Sequence, residues 1–264
     1  MLQDAWMRIS RKVIFVDRQE WEEHTHEEVE FWDKWFRTRG GQWPEDYLRR
    51  IDPQQRLPDL IEKALVDKGV ERGSAIRILD LGSGPLTAVG SRSDRYSVEV
   101  VAIDPLADAY NLLIRKHGIA APLLPQKGEA ERLDCLFPPE TFDLVWVCNS
   151  LDHSYDPVLG LFQAFKTLKT GGTMLIVFHP NEADVGNYQG LHNWNFDVRA
   201  GKFIIESRGQ LIDMSEVLEK FAKIKVPATK ALHAPKSKLV VEVRKISEIS
   251  LFDMLSRQAE TGTS

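Results

Sequence analysis

A glycine-rich turn and an acidic residue twenty positions beyond it are the features of this sequence that most directly suggest chemistry. The turn Gly82–Gly84 follows the apolar run 76–81, and Asp104 closes a second apolar run over 97–104. Glycine allows the backbone to turn sharply and to approach a ligand closely. A carboxylate at the end of the neighbouring strand can accept hydrogen bonds from both hydroxyl groups of a ribose. Together they predict a nucleoside-containing ligand lying across the first two strands.

The details of the turn argue against a dinucleotide. The fingerprint G-x-G-x-x-G would place a third glycine where the sequence has Thr87. The phosphate-binding pattern G-x-x-x-x-G-K-[ST] is absent, so a pyrophosphate at a helix N-terminus is not indicated. No Tyr-x-x-x-Lys pair occurs anywhere in the chain, which removes the usual catalytic pair of the short-chain dehydrogenases.

Short apolar runs that alternate with helical stretches must position these residues. Because apolar runs separated by helices are typical of parallel sheets covered on both faces, the fold class is predicted as a doubly wound α/β fold. Ligands of such folds bind outside the carboxyl ends of the strands. The predicted strands are 76–81, 97–104, 142–148 and 173–178, with a weak strand inside 119–127, and the predicted helices are 105–116 and 156–169.

The flanking regions differ from this central part. Residues 1–56 are rich in aromatic side chains and are predicted to form an N-terminal helical cap, whereas 57–264 form the cofactor-binding domain. The aromatic residues at helical spacing in the cap, such as Trp32 and Trp35, are interpreted mainly as packing, with a roof over the acceptor site as the alternative. Strands at 203–206 and 239–246 are expected to supply the antiparallel edge of the sheet. Further helices are predicted over 22–37 and 57–68, and near 215–221.

Four sequence blocks appear in an order that resembles the class I S-adenosylmethionine-dependent methyltransferases. They are ILDLGSGP from Ile78, VVAIDP from Val100, GEAERL from Gly128, and the stretch from FDLVWVCNSLDHSYDP to LKTGGTMLIV. The correspondence runs from about 76 to 177. The resemblance implies a Rossmann-like, mostly parallel, seven-stranded sheet and S-adenosylmethionine as the cofactor.

The resemblance also implies roles for individual residues. The first block would wrap the methionine part of the cofactor, the acid of the second would bind the ribose, the third would border the adenine, and the residues after the fourth strand would lie beside the methyl group. The implied cofactor-binding residues are Asp80, Gly82, Ser83, Gly84, Asp104, Pro105, Glu129, Ala130, Asn149, Ser150 and Leu151.

Two histidines are candidates for the general base. His153 follows the fourth predicted strand, where the inferred fold faces the methyl group, and His179 ends the fifth. An imidazole with an ordinary pKa can take a proton from a hydroxyl as that hydroxyl attacks. For either histidine, the alternative is a role in shaping the pocket or in bonding to a loop carbonyl.

A loop near 180–202 is predicted to bind the acceptor, because it is rich in side chains that stack and hydrogen-bond. His192, Asn193 and Trp194 are its candidate contacts, and a tryptophan stacked on a sugar ring would suit a glycan. The alternative is a tethered surface loop in which an aromatic side chain acts as a plug. No metal site is predicted, since no tight ligand cluster can be recognised in the sequence, although Asn149, Asp152 and Glu182 leave a divalent ion as an alternative.

Composition narrows the function further. The chain has 264 residues, a net charge of -5 and two cysteines, which argues against a nucleic-acid-coating protein and against a disulfide framework. No apolar run reaches the length of a membrane span, so a cytoplasmic protein is expected.

The predicted activity is methylation of a hydroxyl or carboxyl group on a small-molecule or saccharide acceptor. The sequence after the fourth strand lacks the Asn/Asp-Pro-Pro-Tyr/Phe pattern of amino-methylating DNA enzymes and the Pro-Cys pair of cytosine C5 methylation. Two alternatives remain. One is a nicotinamide-dependent oxidoreductase on the same kind of sheet, and the other is a non-catalytic cofactor-binding protein.

Overall fold

A central sheet of seven strands organises the computed structural model, which describes residues 16–226 and 238–248. The strands are β1 (Ala75–Leu81), β2 (Ser97–Asp104), β3 (Gln126–Lys127), β4 (Phe142–Cys148), β5 (Leu168–Phe178), β9 (Ala222–Lys225) and β10 (Leu239–Lys245). Their order is β3-β2-β1-β4-β5-β10-β9. Strand β10 is antiparallel to both of its neighbours, and the other pairs are parallel. The predicted mostly parallel, Rossmann-like sheet is confirmed.

A second, three-stranded antiparallel sheet follows β5. Its strands are β6 (Asn195–Arg199), β7 (Lys202–Ser207) and β8 (Gln210–Asp213). The expectation that 203–206 would supply the edge of the main sheet is therefore wrong. A tight turn through Ala200 and Gly201, both at positive φ, joins β6 to β7, so β7 pairs with its neighbour in sequence. Only β9 and β10 extend the main sheet beyond β5.

Seven α-helices and two 3-10 helices complete the described residues. Asp17 caps the first helix by accepting hydrogen bonds from Gln19 N and Glu20 N, and Asp156 caps the helix that precedes β5. The helices are α1 (Arg18–Arg37), α2 (Pro44–Ile51), α3 (Asp59–Asp67), α4 (Ala107–Lys116), α5 (Pro157–Thr167), α6 (Glu182–Val185) and α7 (Met214–Val217), and the 3-10 helices are Ala130–Cys135 and Leu151–His153.

The crossover from β1 to β2 has no helix, so the expected alternation of strand and helix is wrong at this point. Residues 82–96 form turns instead. Glycine and proline interrupt this short segment, and a Cβ on Gly90 would lie 2.2 Å from the carbonyl oxygen of Gln55. Helix α3 covers this face of the sheet instead, with Ile61 and Leu65 in its core.

The hydrophobic core has three parts. Helix α5 and the second sheet pack on one face of the main sheet, and α3 packs on the other. A third cluster joins α1, α2 and α4 through aromatic side chains, including Trp35, Phe36 and Tyr47. In the part of the chain that the structure describes, no helix combines the length and the apolarity needed to cross a bilayer.

Candidate functional site

A cavity of about 500 Å³ opens at the carboxyl ends of β1, β2, β4 and β5. Every residue to which the sequence assigned cofactor binding lines this cavity, and so do the two histidines predicted as bases and one of the predicted acceptor contacts, His192. Parallel strands bring their carboxyl ends to the same edge, which is why residues far apart in sequence meet here. The side chains form two groups, a cofactor end and an acceptor end.

The glycine turn at the cofactor end has a conformation that only glycine accepts easily. Gly82 and Gly84 have φ values of +71° and +66°. A Cβ on Gly82 would lie 2.3 Å from the Cβ of Ser150, whose hydroxyl donates a hydrogen bond of 2.9 Å to the carbonyl of Leu81. The loops after β1 and β4 therefore pack directly on each other, and the turn presents main-chain atoms to the cavity.

Asp104 is buried and organises this turn. Its Oδ2 accepts a hydrogen bond of 2.9 Å from Gly84 N, and its Oδ1 accepts one of 2.9 Å from Leu106 N. Burial raises the pKa of Asp104 to about 7. Each carboxylate oxygen keeps a further lone pair, so the side chain can also accept hydrogen bonds from a ligand in the cavity.

Thr87 occupies the position where a dinucleotide-binding turn has its third glycine. Its hydroxyl donates a hydrogen bond to Asp80 and accepts one from Val89 N. Burial raises the pKa of Asp80 to about 6. These bonds hold the chain in a turn, so no helix N-terminus follows the glycines to receive a pyrophosphate. The structure thus supports the argument against a dinucleotide.

Helix α1 covers the cofactor end. A Cβ on Gly84 would lie 3.1 Å from the ring of Trp32, and Arg18 forms an ion pair of 2.7 Å with Glu129. The other Glu129 oxygen accepts a hydrogen bond of 2.9 Å from the hydroxyl of Tyr155. Trp32 was interpreted in the sequence mainly as packing, yet it lines the cavity. The alternative of a roof over the acceptor site thus identified the right helix, but Trp32 lies over the glycine turn at the cofactor end.

Two histidines and two carboxylates converge at the acceptor end. Nε2 of His153 lies 3.1 Å from Nδ1 of His192, and 3.3 Å from Oδ2 of Asp152. The Asp152 carboxylate raises the pKa of His192. Burial, together with the nearby carboxylate of Asp152, raises the pKa of Glu182. The sequence analysis named Asp152 and Glu182 together with Asn149 as compatible with a divalent ion, but their meeting with His192 depends on the fold.

Asn149 holds part of this group in place. Its Nδ2 donates a hydrogen bond of 3.2 Å to Glu182 Oε2, and its Oδ1 accepts one of 3.0 Å from His179 N. The backbone of Asn149 is in the left-handed region, with φ at +51°, which asparagine tolerates better than most residues. Asn149 thereby links the ends of β4 and β5 to the start of α6.

Trp194 and Asn193 do not line the cavity. Trp194 is fully buried, and its Nε1 donates a hydrogen bond of 2.7 Å to the carbonyl of Ser154. Its ring packs in the main core, so the predicted stacking of Trp194 on an acceptor is wrong. Asn193 is also buried and lies just before β6. Of the three predicted acceptor contacts, His192 alone reaches the cavity.

The cofactor end fits S-adenosylmethionine on its own geometry. Gly82, Ser83 and Gly84 line the cavity, and packing against Ser150 leaves no room for a Cβ at Gly82. The carboxylate of Asp104 is hydrogen-bonded to this turn through Gly84 N and has acceptor capacity left for ribose hydroxyls. Ala130 and Leu151 add apolar surface to the same cavity.

Comparisons with known proteins point to the same family. Residues 79–176 match the family model described as a methyltransferase domain. A stretch of 115 residues is 34% identical to the ubiquinone/menaquinone biosynthesis C-methyltransferase of Proteus mirabilis, covering 41% of this chain and 44% of that protein. The chain thus spans less than half the length of this relative.

Solved structures were also compared. The YcgJ protein of Bacillus subtilis is 16% identical, with a TM-score of 0.43, over 71% of this chain and 100% of that one. A 1,6-didemethyltoxoflavin-N1-methyltransferase of Burkholderia thailandensis is 14% identical, with a TM-score of 0.46, over 89% and 93%. The topology of the sheet and the family match over 79–176 carry the conclusion without these structures. Over residues 79–176 the chain is therefore similar to the S-adenosylmethionine-dependent methyltransferases and contains a methyltransferase domain of their kind.

Proposed function

We propose that this protein transfers the methyl group of S-adenosylmethionine to an oxygen atom of a small-molecule or saccharide acceptor. The observation that carries the proposal is that one cavity joins the glycine turn and Asp104 to a group of imidazole and carboxylate side chains. The first group suits the nucleoside of the cofactor. The second group suits a polar acceptor that must lose a proton.

The chain's own residues contribute mainly by positioning. When bound, S-adenosylmethionine supplies an activated methyl group bonded to a positively charged sulfur. Asp104 and the main chain of Gly82–Gly84 hold the nucleoside and methionine parts, and Asn149–Leu151 border the end of the cavity nearest the acceptor. Holding two reactants in line lowers the activation free energy by up to ~7–11 kcal/mol in well-oriented systems. Helix α1 covers the cofactor end of the cavity and limits the entry of water.

We assign the general base to His179 rather than to His153. Burial and the nearby Lys238 lower the pKa of His179, so its imidazole is neutral and ready to accept a proton near neutral pH. His153 instead lies against Asp152 and His192, which occupy its Nε2 side. An oxygen nucleophile needs such a base, because a neutral hydroxyl is a weak nucleophile.

Carbon methylation is the second candidate, because the relative from Proteus mirabilis is named as a C-methyltransferase. The match covers less than half of that protein. Residues at the acceptor end such as Glu182 and His192 lie beyond the region matched by the family model. Asp152 and His153 lie inside that region, so the comparison covers the acceptor end only in part.

The test is transfer from methyl-labelled S-adenosylmethionine to a panel of hydroxylated small molecules, saccharides, carboxylic acids and activated carbon acceptors. We expect a product whose labelled methyl group has the ¹³C chemical shift of a methyl on oxygen. A methyl on carbon would replace the proposal by the second candidate. Calorimetric binding of S-adenosylhomocysteine without transfer to any acceptor would favour a non-catalytic protein, and binding of NAD instead would favour an oxidoreductase.

A further inference from the structure

We propose that Asp152, His153, Glu182 and His192 form a binding site for a divalent transition-metal ion of the zinc class. Each of these residues offers one ligand atom, and the four atoms lie within 4.8 Å of one another. The group is the only one of its kind among the residues that the structure describes. This proposal replaces the prediction of no metal site that was made from the sequence.

The spacing of the ligand atoms suits a metal of this class. Tetrahedral zinc binds nitrogen and oxygen ligands at about 2.0–2.2 Å, which separates the ligand atoms by roughly 3.3–3.6 Å. The distance from His153 Nε2 is 3.1 Å to His192 Nδ1 and 3.3 Å to Asp152 Oδ2. His192 Nδ1 lies 3.8 Å from Asp152 Oδ2. Three ligand atoms thus surround a common centre with small adjustments.

A buried carboxylate atom gives an independent indication of a ligand. The side chain of Asp152 is only 6% exposed, and its Oδ2 accepts no hydrogen bond. A buried carboxylate oxygen without a partner is costly, since the water that would solvate it is lost. The same atom points at the two imidazole nitrogens. A cation at their centre would satisfy all three atoms together.

The surrounding structure holds the ligands as metal sites usually require. Asn149 Nδ2 donates a hydrogen bond of 3.2 Å to Glu182 Oε2, which leaves Glu182 Oε1 for another partner. Trp21 Nε1 donates a hydrogen bond of 2.6 Å to the carbonyl of His153, so α1 anchors the 3-10 helix that carries two of the ligands. Partners of this kind orient ligands and raise metal affinity.

The donor set favours the zinc class over magnesium or calcium. Imidazole is a preferred ligand of zinc, iron, nickel and copper, whereas magnesium and calcium prefer oxygen alone. Two imidazoles with two carboxylates therefore select a transition metal. The site goes beyond the proposed activity, because cation binding requires neither the cofactor nor the acceptor. A bound ion would tie the loop that carries His192 to the ends of β4 and β5.

The test is metal uptake by the full chain, freed of metal with a chelator and of any affinity tag. We expect one Zn²⁺ per chain by calorimetry, and intense visible absorption of Co²⁺ that indicates low-symmetry coordination. Asp152→Asn and His192→Ala should each weaken Zn²⁺ binding by more than the ~10–100-fold that the loss of an outer partner costs. His179→Ala is the matched control, because His179 lines the same cavity outside the ligand group.

Three results would overturn the proposal. They are no stoichiometric uptake by the wild-type chain, unchanged Zn²⁺ affinity in both ligand variants, and binding of Mg²⁺ in place of Co²⁺ and Zn²⁺. His192→Gln and circular dichroism show whether a loss of binding in His192→Ala reflects misfolding. Because neither cofactor nor acceptor is present, the outcome does not depend on the proposed methyl transfer.

Discussion

The two ends of the cavity are built in different ways. At the cofactor end, Asp104 accepts hydrogen bonds from the main chain of Gly84 and Leu106, and the turn is held by backbone geometry. At the acceptor end, side chains from three segments converge, and Oδ2 of Asp152 accepts no hydrogen bond. The first end is complete before a ligand arrives. The second brings a buried carboxylate oxygen, which accepts no hydrogen bond, beside two imidazole nitrogens.

This difference shows that local sequence specifies the cofactor end, whereas tertiary packing specifies the acceptor end. A binding turn made of main-chain atoms needs only a few residues of the right type at adjacent positions. A site made of converging side chains needs the packing of the whole domain to bring them together. Substitutions at the cofactor end should therefore act on binding, and those at the acceptor end on turnover.

The largest effect is expected for His179→Gln. Loss of a general base costs about 10²–10⁴ in turnover, whereas affinity for S-adenosylhomocysteine should stay unchanged. The groups that face His179 are Lys238, which lowers its pKa, and Asp152, which opposes that shift. Since the pKa of His179 is lowered overall, wild-type kcat/KM should rise with pH to a plateau, with the midpoint of the rise below pH 6.5. The variant should not show this rise.

Steady-state kinetics against pH measure this effect. His26→Gln, at an exposed position of α1, is the control and should keep both the wild-type rate and the rise of kcat/KM with pH. An unchanged pH profile in His179→Gln would remove His179 as the base and return His153 to that role.

The next effect is expected for Gly82→Ala, which tests whether the cofactor end depends on backbone geometry. The new Cβ would lie 2.3 Å from Ser150 Cβ, at a φ of +71°. Overpacking and a left-handed backbone together should lower the free energy of unfolding by about 2–5 kcal/mol and disrupt cofactor binding. Chemical denaturation and calorimetry with S-adenosylhomocysteine measure the two effects.

Gly118→Ala is the matched control for this strain. Gly118 has a φ of +62°, but no atom lies within 4 Å of its added Cβ. Gly118→Ala should lower the free energy of unfolding by the cost of the left-handed backbone alone, about 1–2 kcal/mol, and should leave cofactor binding normal. Equal losses in the two variants would contradict the close packing of the loops after β1 and β4.

A smaller effect is expected for Asp104→Asn. The loss of charged hydrogen bonds to the ribose should weaken S-adenosylhomocysteine binding by about 1–3 kcal/mol. Because burial raises the pKa of Asp104 to about 7, the acceptor form gains population as the pH rises, and wild-type affinity should increase from about pH 6 to about pH 8. In Asp104→Asn the affinity should not vary in this way.

Calorimetry at several pH values measures this dependence. Asp108→Asn, at an exposed position on α4, is the control and should bind as the wild type does. Wild-type affinity that falls with rising pH would show that the charged form of Asp104 does not bind the ribose.

The smallest effect is expected for Arg18→Ala, which tests how firmly α1 covers the cofactor end. The Arg18 side chain is 48% exposed, and exposed ion pairs contribute about 0.2–1 kcal/mol, so affinity should fall by less than about fivefold. The loss should shrink further at high salt. Arg37→Ala, at the other end of the helix, is the control. A loss as large as that of Asp104→Asn would mean that Glu129 binds the cofactor only when α1 is anchored.

Strands and helices were predictable where the chain shows uninterrupted patterns. The strands 97–104 and 142–148 were predicted with the bounds that the structure shows, because buried parallel strands need continuous apolar runs. The strand at 203–206 was recognised but placed in the wrong sheet, since pairing partners depend on turn geometry at Ala200 and Gly201. The general alternation of strands and helices fails after β1, where residues 82–96 form turns and α3 covers that face of the sheet.

The candidate site was predictable in part. The residues predicted to bind the cofactor all line the cavity, because the motifs sit directly at strand ends. The orientation of Trp194 could not be predicted, because the sequence pattern of a loop tryptophan is the same whether its ring packs in the core or faces the cavity. The meeting of Asp152 with His192 could not be predicted, because a helix, β5 and the loop after β5 lie between them in sequence, and only the packing of the whole domain brings them together.

The amino-acid sequence by itself determined the strand runs, the glycine turn and the acid at the end of the second strand, because neighbours along the chain decide local backbone geometry. The tertiary structure alone decided that α1 covers the turn, that Trp194 points into the core, and that His153 and His192 face one carboxylate. Such contacts join residues far apart in sequence, and their cost in chain entropy is offset only by the burial of the whole core.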